Sequence, residues 1–195
     1  MATPARTATD WALVWLLVAT GFAVASQVGK VPPSLPAIRA ELGFDLRAAG
    51  WFVSLINLMT ALVGVLVALT ADRVGHRRLA VAGLVAGVLA SAAGALTASA
   101  TTLFACRIIE GLGFLAVVVS VPTLLLRLTA PHDVRRVMAL WGAYLPGGAG
   151  LMALASAFLL PTVGWRGVWW TTAGVLVLAT VSILSSTVGR GVNAA

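Results

Sequence analysis

Side chains able to do chemistry are scarce in this sequence, and each scarcity closes a class of function. A single cysteine, Cys106, allows no disulfide within the chain and no CxxC pair, which removes paired-thiol oxidoreductases. Its place inside an apolar run assigns it to packing. Only two histidines occur, His76 and His132. Each lies in a polar stretch without a companion at metal-ligand spacing, so both are expected to be solvated loop residues. An intramembrane serine protease would need a histidine within an apolar segment. The repeated acidic or carbonyl-rich constrictions that line a pore are missing too. Charged residues make up only 10% of the chain. No enzyme, cofactor or metal site is expected.

What remains is apolar: 60% of the 195 residues are hydrophobic and the mean hydropathy is +1.01, beyond the range of soluble domains. A bilayer core takes roughly 20 apolar residues per helix. Six stretches qualify, near 11–28, 48–69, 79–98, 102–126, 137–160 and 168–188. They are too long and too uniformly apolar for barrel strands, and backbone in lipid must satisfy its own polar groups. The expected fold is an all-α integral membrane bundle of six transmembrane helices, one domain over residues 1–195. Arg6, the first apolar run and Ala23-Val24-Ala25 imitate a signal peptide. The run is long for that, and Asp10 stands where a positive flank belongs, so a retained helix is expected.

Basic residues set the orientation. With a cytoplasmic N-terminus the inside receives Arg6, Arg73, Arg77, Arg78, Arg127, Arg135, Arg136 and Arg190. The outside receives Lys30, Arg39, Arg47 and Arg166, diluted by Glu41 and Asp45. Eight against four follows the positive-inside rule, with both termini cytoplasmic in a plasma (inner) membrane. Topology and contact with anionic membrane lipid account for the net charge of +7. The cations are split among short loops, and nucleic acid is not expected as a partner.

Between the first two runs, Pro32, Pro33 and Pro36 are expected to prevent a continuous helix, leaving at most a short turn over 37–42. Trp11, Trp51, Trp141, Trp165 and Trp169 fall near predicted helix ends, as interfacial anchors do. Thr60, Gly64 and Ala68 on the second helix, and Gly83, Gly87, Ser91 and Ala95 on the third, recur at four-residue spacing and predict close helix packing. Gly142, Pro146, Gly147, Gly148 and Gly150 predict a bend in the fifth helix.

Two charge clusters stand out. Asp72, Arg73, Gly75, Arg77 and Arg78 fall within seven residues after the second helix, although a positive-inside loop needs neither the Asp nor the Gly. The stretch resembles the loop between helices two and three of the major facilitator superfamily, G-x-L-x-D-R-x-G-R-R, matching at Asp72-Arg73-x-Gly75 and at the basic end. Ala68, Thr70 and His76 depart from it. The resemblance implies a cytoplasmic latch between two halves of a transporter, with Asp72 near a helix terminus of the opposite half. Within the fourth helix, Arg107, Glu110, Gly111 and Gly113 follow the spacing of the family's R-x-x-Q-G-x-G. An arginine in a membrane helix costs about 2.5–3.5 kcal/mol on insertion scales and should face the bundle interior or water. Arg107 and Glu110, three apart, share a helix face. Either they neutralise each other, or Glu110 is a carboxylate whose protonation alters its pairing with Arg107. The resemblance favours a part for Arg107 in coupling or substrate contact, lining a cavity with Glu110.

The fifth helix partly resembles the family's antiporter motif G-x-x-x-G-P-x-x-G-G, which would make Gly142, Pro146, Gly147 and Gly150 a hinge. The six-helix layout matches the N-terminal half of a facilitator fold, two inverted three-helix repeats. A small-solute secondary transporter working by alternating access, proton coupled by symport or antiport, is implied. It would be completed by a homodimer or a separately encoded second half. Gln27, Asn57 and Tyr144 join Arg107 as polar contacts for a solute. The alternative is a truncated or non-transporting six-helix chain that acts only by binding a partner.

Overall fold

The computed structural model describes residues 8–188; Arg6 and Arg190 lie outside them. Seven α-helices and one 3₁₀ turn make up these residues: α1 (Trp11–Gly29), α2 (Val31–Leu42), α3 (Leu46–Val74), α4 (His76–Leu96), α5 (Ala100–Leu128), the turn Pro131–Asp133, α6 (Val134–Gly142) and α7 (Tyr144–Ser185). Short polar side chains start three of the helices. Asp10 accepts from the Leu13 amide, Asp45 from Ala48 and Ser99 from Thr102, each satisfying a first-turn N–H that has no helical partner. Among the described residues, five stretches are long and apolar enough to cross a membrane: 11–42, 46–74, 76–96, 100–128 and 131–185.

One expectation is corrected here. The proline-rich stretch is helical, because α2 occupies Val31–Leu42. Pro32 and Pro33 fall in its first turn, where no helical N–H is needed. Against α1, however, they have no N–H for the carbonyls of Val28 and Gly29, so the boundary between the helices falls at Lys30. The Ser34 hydroxyl donates to the Lys30 carbonyl across it (2.7 Å). At the other end of the chain, the run expected over 137–160 covers α6 and the first part of α7, and the run expected over 168–188 begins beyond Gly164, where two helices meet at a kink within the 42 residues of α7. Gly164, at φ 65° and ψ −176°, interrupts it where only glycine adopts the backbone readily. Gly148 and Ala155 before the interruption and Thr171 and Val175 after it border one groove against Ala19 and Ala23 of α1. The smaller break between α6 and α7 falls at Ala143, where Pro146 has no N–H for the Gly142 carbonyl.

Helices pack where small residues let them. Gly83 of α4 and Gly113 of α5 meet backbone to backbone: a Cβ on Gly83 would stand 2.6 Å from the Gly113 carbonyl oxygen. The stripe on α4 therefore packs as expected. The one on α3 does not, since Gly64 has nothing near it and Leu62, Val65, Leu66 and Leu69 are exposed. The tryptophans also divide. Trp11, Trp15 and Trp51 are exposed, whereas Trp141, Trp165 and Trp169 are buried against neighbouring helices.

Contacts sort the polar residues into two ends and a middle. At one end the Asp10 amide donates to the Leu128 carbonyl, Thr9 donates to Asp133, and Arg77 reaches the end of α7. At the other, Glu41 accepts from Trp165 Nε1 (2.7 Å) and from Arg166, which in turn donates to the Thr97 carbonyl (2.9 Å). Lys30 belongs to neither.

Candidate functional site

The middle of the bundle holds three ionisable groups with almost no access to solvent. Arg107 and Glu110 sit one turn apart on α5, and Arg107 Nη1 donates to Glu110 Oε2 at 2.8 Å. The same guanidinium nitrogen donates to the Gln27 carbonyl of α1 at 2.7 Å. Lys30, at the α1–α2 junction, donates through Nζ to Glu110 Oε1 at 2.5 Å and to Ser91 Oγ of α4 at 3.0 Å. Ser91 Oγ donates to the same Oε1 at 2.7 Å. Lys30 and Glu110 are 0% and 1% exposed, and Arg107 is 1% exposed. Trp169 of α7 lies under Lys30, with Nζ 4.3 Å from the ring centroid, where the ring's negative face attracts an ammonium. α4, α5 and the α1–α2 junction thus converge on one carboxylate, with α1 and α7 reaching its two cations through Gln27 and Trp169.

Of the residues expected in a site, Arg107 and Glu110 are brought together as the i, i+3 spacing requires. They sit within the bundle: Arg107 is covered by Gln27 and by the Phe52 ring, 5.8 Å from its Cζ. Lys30 was expected in an outer loop and is instead the second cation on Glu110. Its signal was in the sequence, a lysine directly after an unbroken apolar run, but the prolines that follow it read as a loop. Ser91 was noted only for its size. The Gln27 side chain is buried and neither of its polar atoms has a hydrogen-bond partner among the described residues; the same holds for Arg107 Nε. Asn57 is exposed on α3, and Tyr144 stacks on Trp141 at 4.2 Å.

The loop cluster lies at the end of the bundle where α1 begins. Gly75 has φ 96° and joins α3 to α4 in a turn that L side chains rarely adopt. Asp72 is 73% exposed and lies 3.6 Å from His76, which is largely covered rather than solvated. Arg73 and Arg78 are exposed. Arg77 Nη2 donates to the carbonyls of Ile183 and Leu184 at 3.0 and 3.2 Å, a charge-assisted cap on the α7 C-terminus. Arg77→Ala is expected to cost about 1–2 kcal/mol through these bonds, read as earlier loss of monodisperse protein on heating in detergent, while Arg78→Ala leaves that temperature unchanged.

The bend residues differ among themselves. Gly142 and Gly150 have open space where a Cβ would go, whereas Gly147 and Gly148 lie against Phe22 of α1. Pro146 is exposed in the first turn of α7.

Fold and site together define a polytopic membrane protein with an ionised centre. The Major Facilitator Superfamily family model matches residues 16–191, and the chain belongs to that family. The puromycin resistance protein pur8 of Streptomyces alboniger is 28% identical over 170 residues, covering 87% of this chain and 34% of that protein. The cephamycin export protein CmcT of Amycolatopsis lactamdurans is 30% identical over 84% of this chain and 34% of its own. The proton:xylose symporter XylE, solved with 6-bromo-6-deoxy-D-glucose, superposes with a TM-score of 0.79 at 14% identity, over 90% of this chain and 44% of that one. The chain thus spans about a third of the length of these curated relatives.

Proposed function

We propose that this chain is the N-terminal half of a secondary active transporter that moves a small solute across the plasma membrane by alternating access, coupled to protons. In this reading α7 crosses twice, reversing at Gly164, so the half has six crossings and both termini are cytoplasmic. Six arginines at the Arg77 end (Arg73, Arg77, Arg78, Arg127, Arg135, Arg136) against three at the other (Arg39, Arg47, Arg166) favour that orientation.

The observation that carries the proposal is the Lys30–Glu110–Arg107 network. Withdrawing ions from water costs several kcal/mol each even after relaxation, and apolar side chains of similar size would stabilise the bundle at least as well. Ionisable groups kept at membrane depth mark ion and substrate pathways. Because Arg107 and Glu110 are enclosed within this half, they act on the solute site by coupling: a change in protonation re-pairs α1, α4 and α5 and alters the wall that α5 presents. Asp72, Arg73, Gly75, Arg77 and Arg78 form the cytoplasmic latch, with Arg77 anchored to α7 and Asp72 exposed toward the opposite half. Gly142, Pro146, Gly147 and Gly150 form the bend. The exposed apolar face of α3 is where lipid or a second half would pack, supplied by the rest of a longer chain, a second copy or a separate chain. Relatives with resistance and export in their names favour outward movement of a small organic molecule.

The test is solute flux, with puromycin and a cephamycin as first probes, in cells making the chain with its second half. Arg107→Ala is expected to abolish flux and Asp72→Ala to reduce it about tenfold or more, on the scale of a misplaced catalytic geometry, both at normal membrane abundance. Unchanged flux in both variants would instead favour a chain that only binds a partner.

A further inference from the structure

We propose that Lys30, the only lysine among these 195 residues, is the group through which the buried network gains and loses a proton. The inference rests on the proton-coupled reading above and names the proton's address within it. Three groups could in principle carry the charge change. Arg107 does not, because a guanidinium keeps its proton in proteins. Glu110 is poorly placed to take one. Its Oε1 accepts from Lys30 and Ser91 and its Oε2 from Arg107, so a proton on Glu110 would weaken three hydrogen bonds donated to a carboxylate, two of them from cations. Protonating Glu110 would also leave two buried cations with no anion.

Lys30 meets neither obstacle. With Lys30 protonated, two cations share one carboxylate and the cluster carries one uncompensated positive charge. With Lys30 neutral, the Arg107–Glu110 pair is balanced and stays bonded at 2.8 Å. The Nζ–H bond breaks with its electron pair left on nitrogen and the proton passes to water; uptake is the reverse. Ser91 suits both states. Its hydroxyl, 3.0 Å from Nζ, accepts from the ammonium and can turn to donate to the amine. The groups facing Lys30 are Glu110, Arg107 and Cys106 from α5, Ser91 from α4 and the Trp169 ring from α7, and Glu110 is the single acid among them at ordinary pH. Position adds a consequence. Lys30 is the boundary residue between α1 and α2, so losing its proton weakens the bond that ties this junction to α4 and α5.

The chain's single lysine makes the test direct. The full chain, labelled with ¹⁵N-lysine and reconstituted in lipid vesicles, should give one Nζ resonance by solid-state NMR. Raising the pH from about 6 to about 10, a span reaching toward the ordinary lysine range, is expected to move that resonance the whole way from the ammonium to the amine position. A resonance that stays at the ammonium position across the range overturns the proposal. So does a protonation step that appears on a carboxyl ¹³C signal and vanishes in Glu110→Gln. Solute flux independent of pH would refute proton-coupled transport without touching this spectrum, so the two failures are distinguishable.

Discussion

Glu110→Gln is expected to destabilise this chain more than any other single side-chain change in its centre, by about 3–5 kcal/mol. The substitution preserves shape but takes away the one anion, leaving Arg107 as an enclosed cation without a counter-ion and Lys30 either as a second one or, at the cost of its proton, as a neutral amine. Charge interactions are several-fold stronger inside a protein than in water, so sterics are nearly unchanged while the electrostatic balance is lost. Lys30→Met is expected to cost little by comparison, because it keeps the apolar stem and leaves the Arg107–Glu110 pair intact. The double variant Lys30→Met/Glu110→Gln should fall between them, since removing the second cation relieves part of the repulsion. The ordering can be read from the temperature at which each variant loses its monodisperse peak in detergent. If Lys30→Met proves as damaging as Glu110→Gln, the ammonium is needed for packing and the charge balance described above is wrong.

How much of this was legible in the sequence depends on the range of the interaction. The Arg107–Glu110 pair lies within one helical turn, so spacing alone placed both on one face. The turn at Gly75 was legible for the same reason, as was the close approach along α4. Lys30 was not, because its partners are 61 and 80 positions away and its local context pointed elsewhere. Three prolines in five residues read as a helix-free loop, although two of them fill a first turn where prolines do no harm and only Pro36 removes an interior bond of α2. Trp169 misled in the same way. Proximity to a predicted helix end suggested an interfacial ring, yet its tertiary partner, the Lys30 ammonium, holds it in the middle of the bundle. The α3 stripe shows the converse: Thr60, Gly64 and Ala68 have the pattern of a packing face, but no helix among the described residues covers Gly64.

The second large effect is steric and lies at the crossing of α1 and α7. Gly29→Ala and Gly148→Ala are each expected to cost about 1–3 kcal/mol or more, the usual penalty of overpacking, because neither new methyl group has room. A Cβ on Gly29 would press on the backbone of Ala149, 2.7 Å from its Cα and against its carbonyl oxygen; one on Gly148 would meet the Phe22 carbonyl and stand 2.8 Å from Ala25 Cβ. Backbone cannot step aside as a side chain can, so the helices must separate, and the separation falls next to the Lys30 junction. Gly150→Ala is the internal control. Its Cβ would enter open space, and replacing an exposed helical glycine should stabilise by about 0.5–1 kcal/mol. The contrast splits the glycine cluster of α7 by role. If flexibility were its whole purpose, alanine at 148 and at 150 would change transport rate alike and stability hardly at all. If Gly148 is a contact residue, its variant melts early while the Gly150 variant melts late, and only the latter, together with Pro146→Ala, reports on bending. A Gly148→Ala protein as stable as the parent would mean that α1 and α7 do not cross as closely as described.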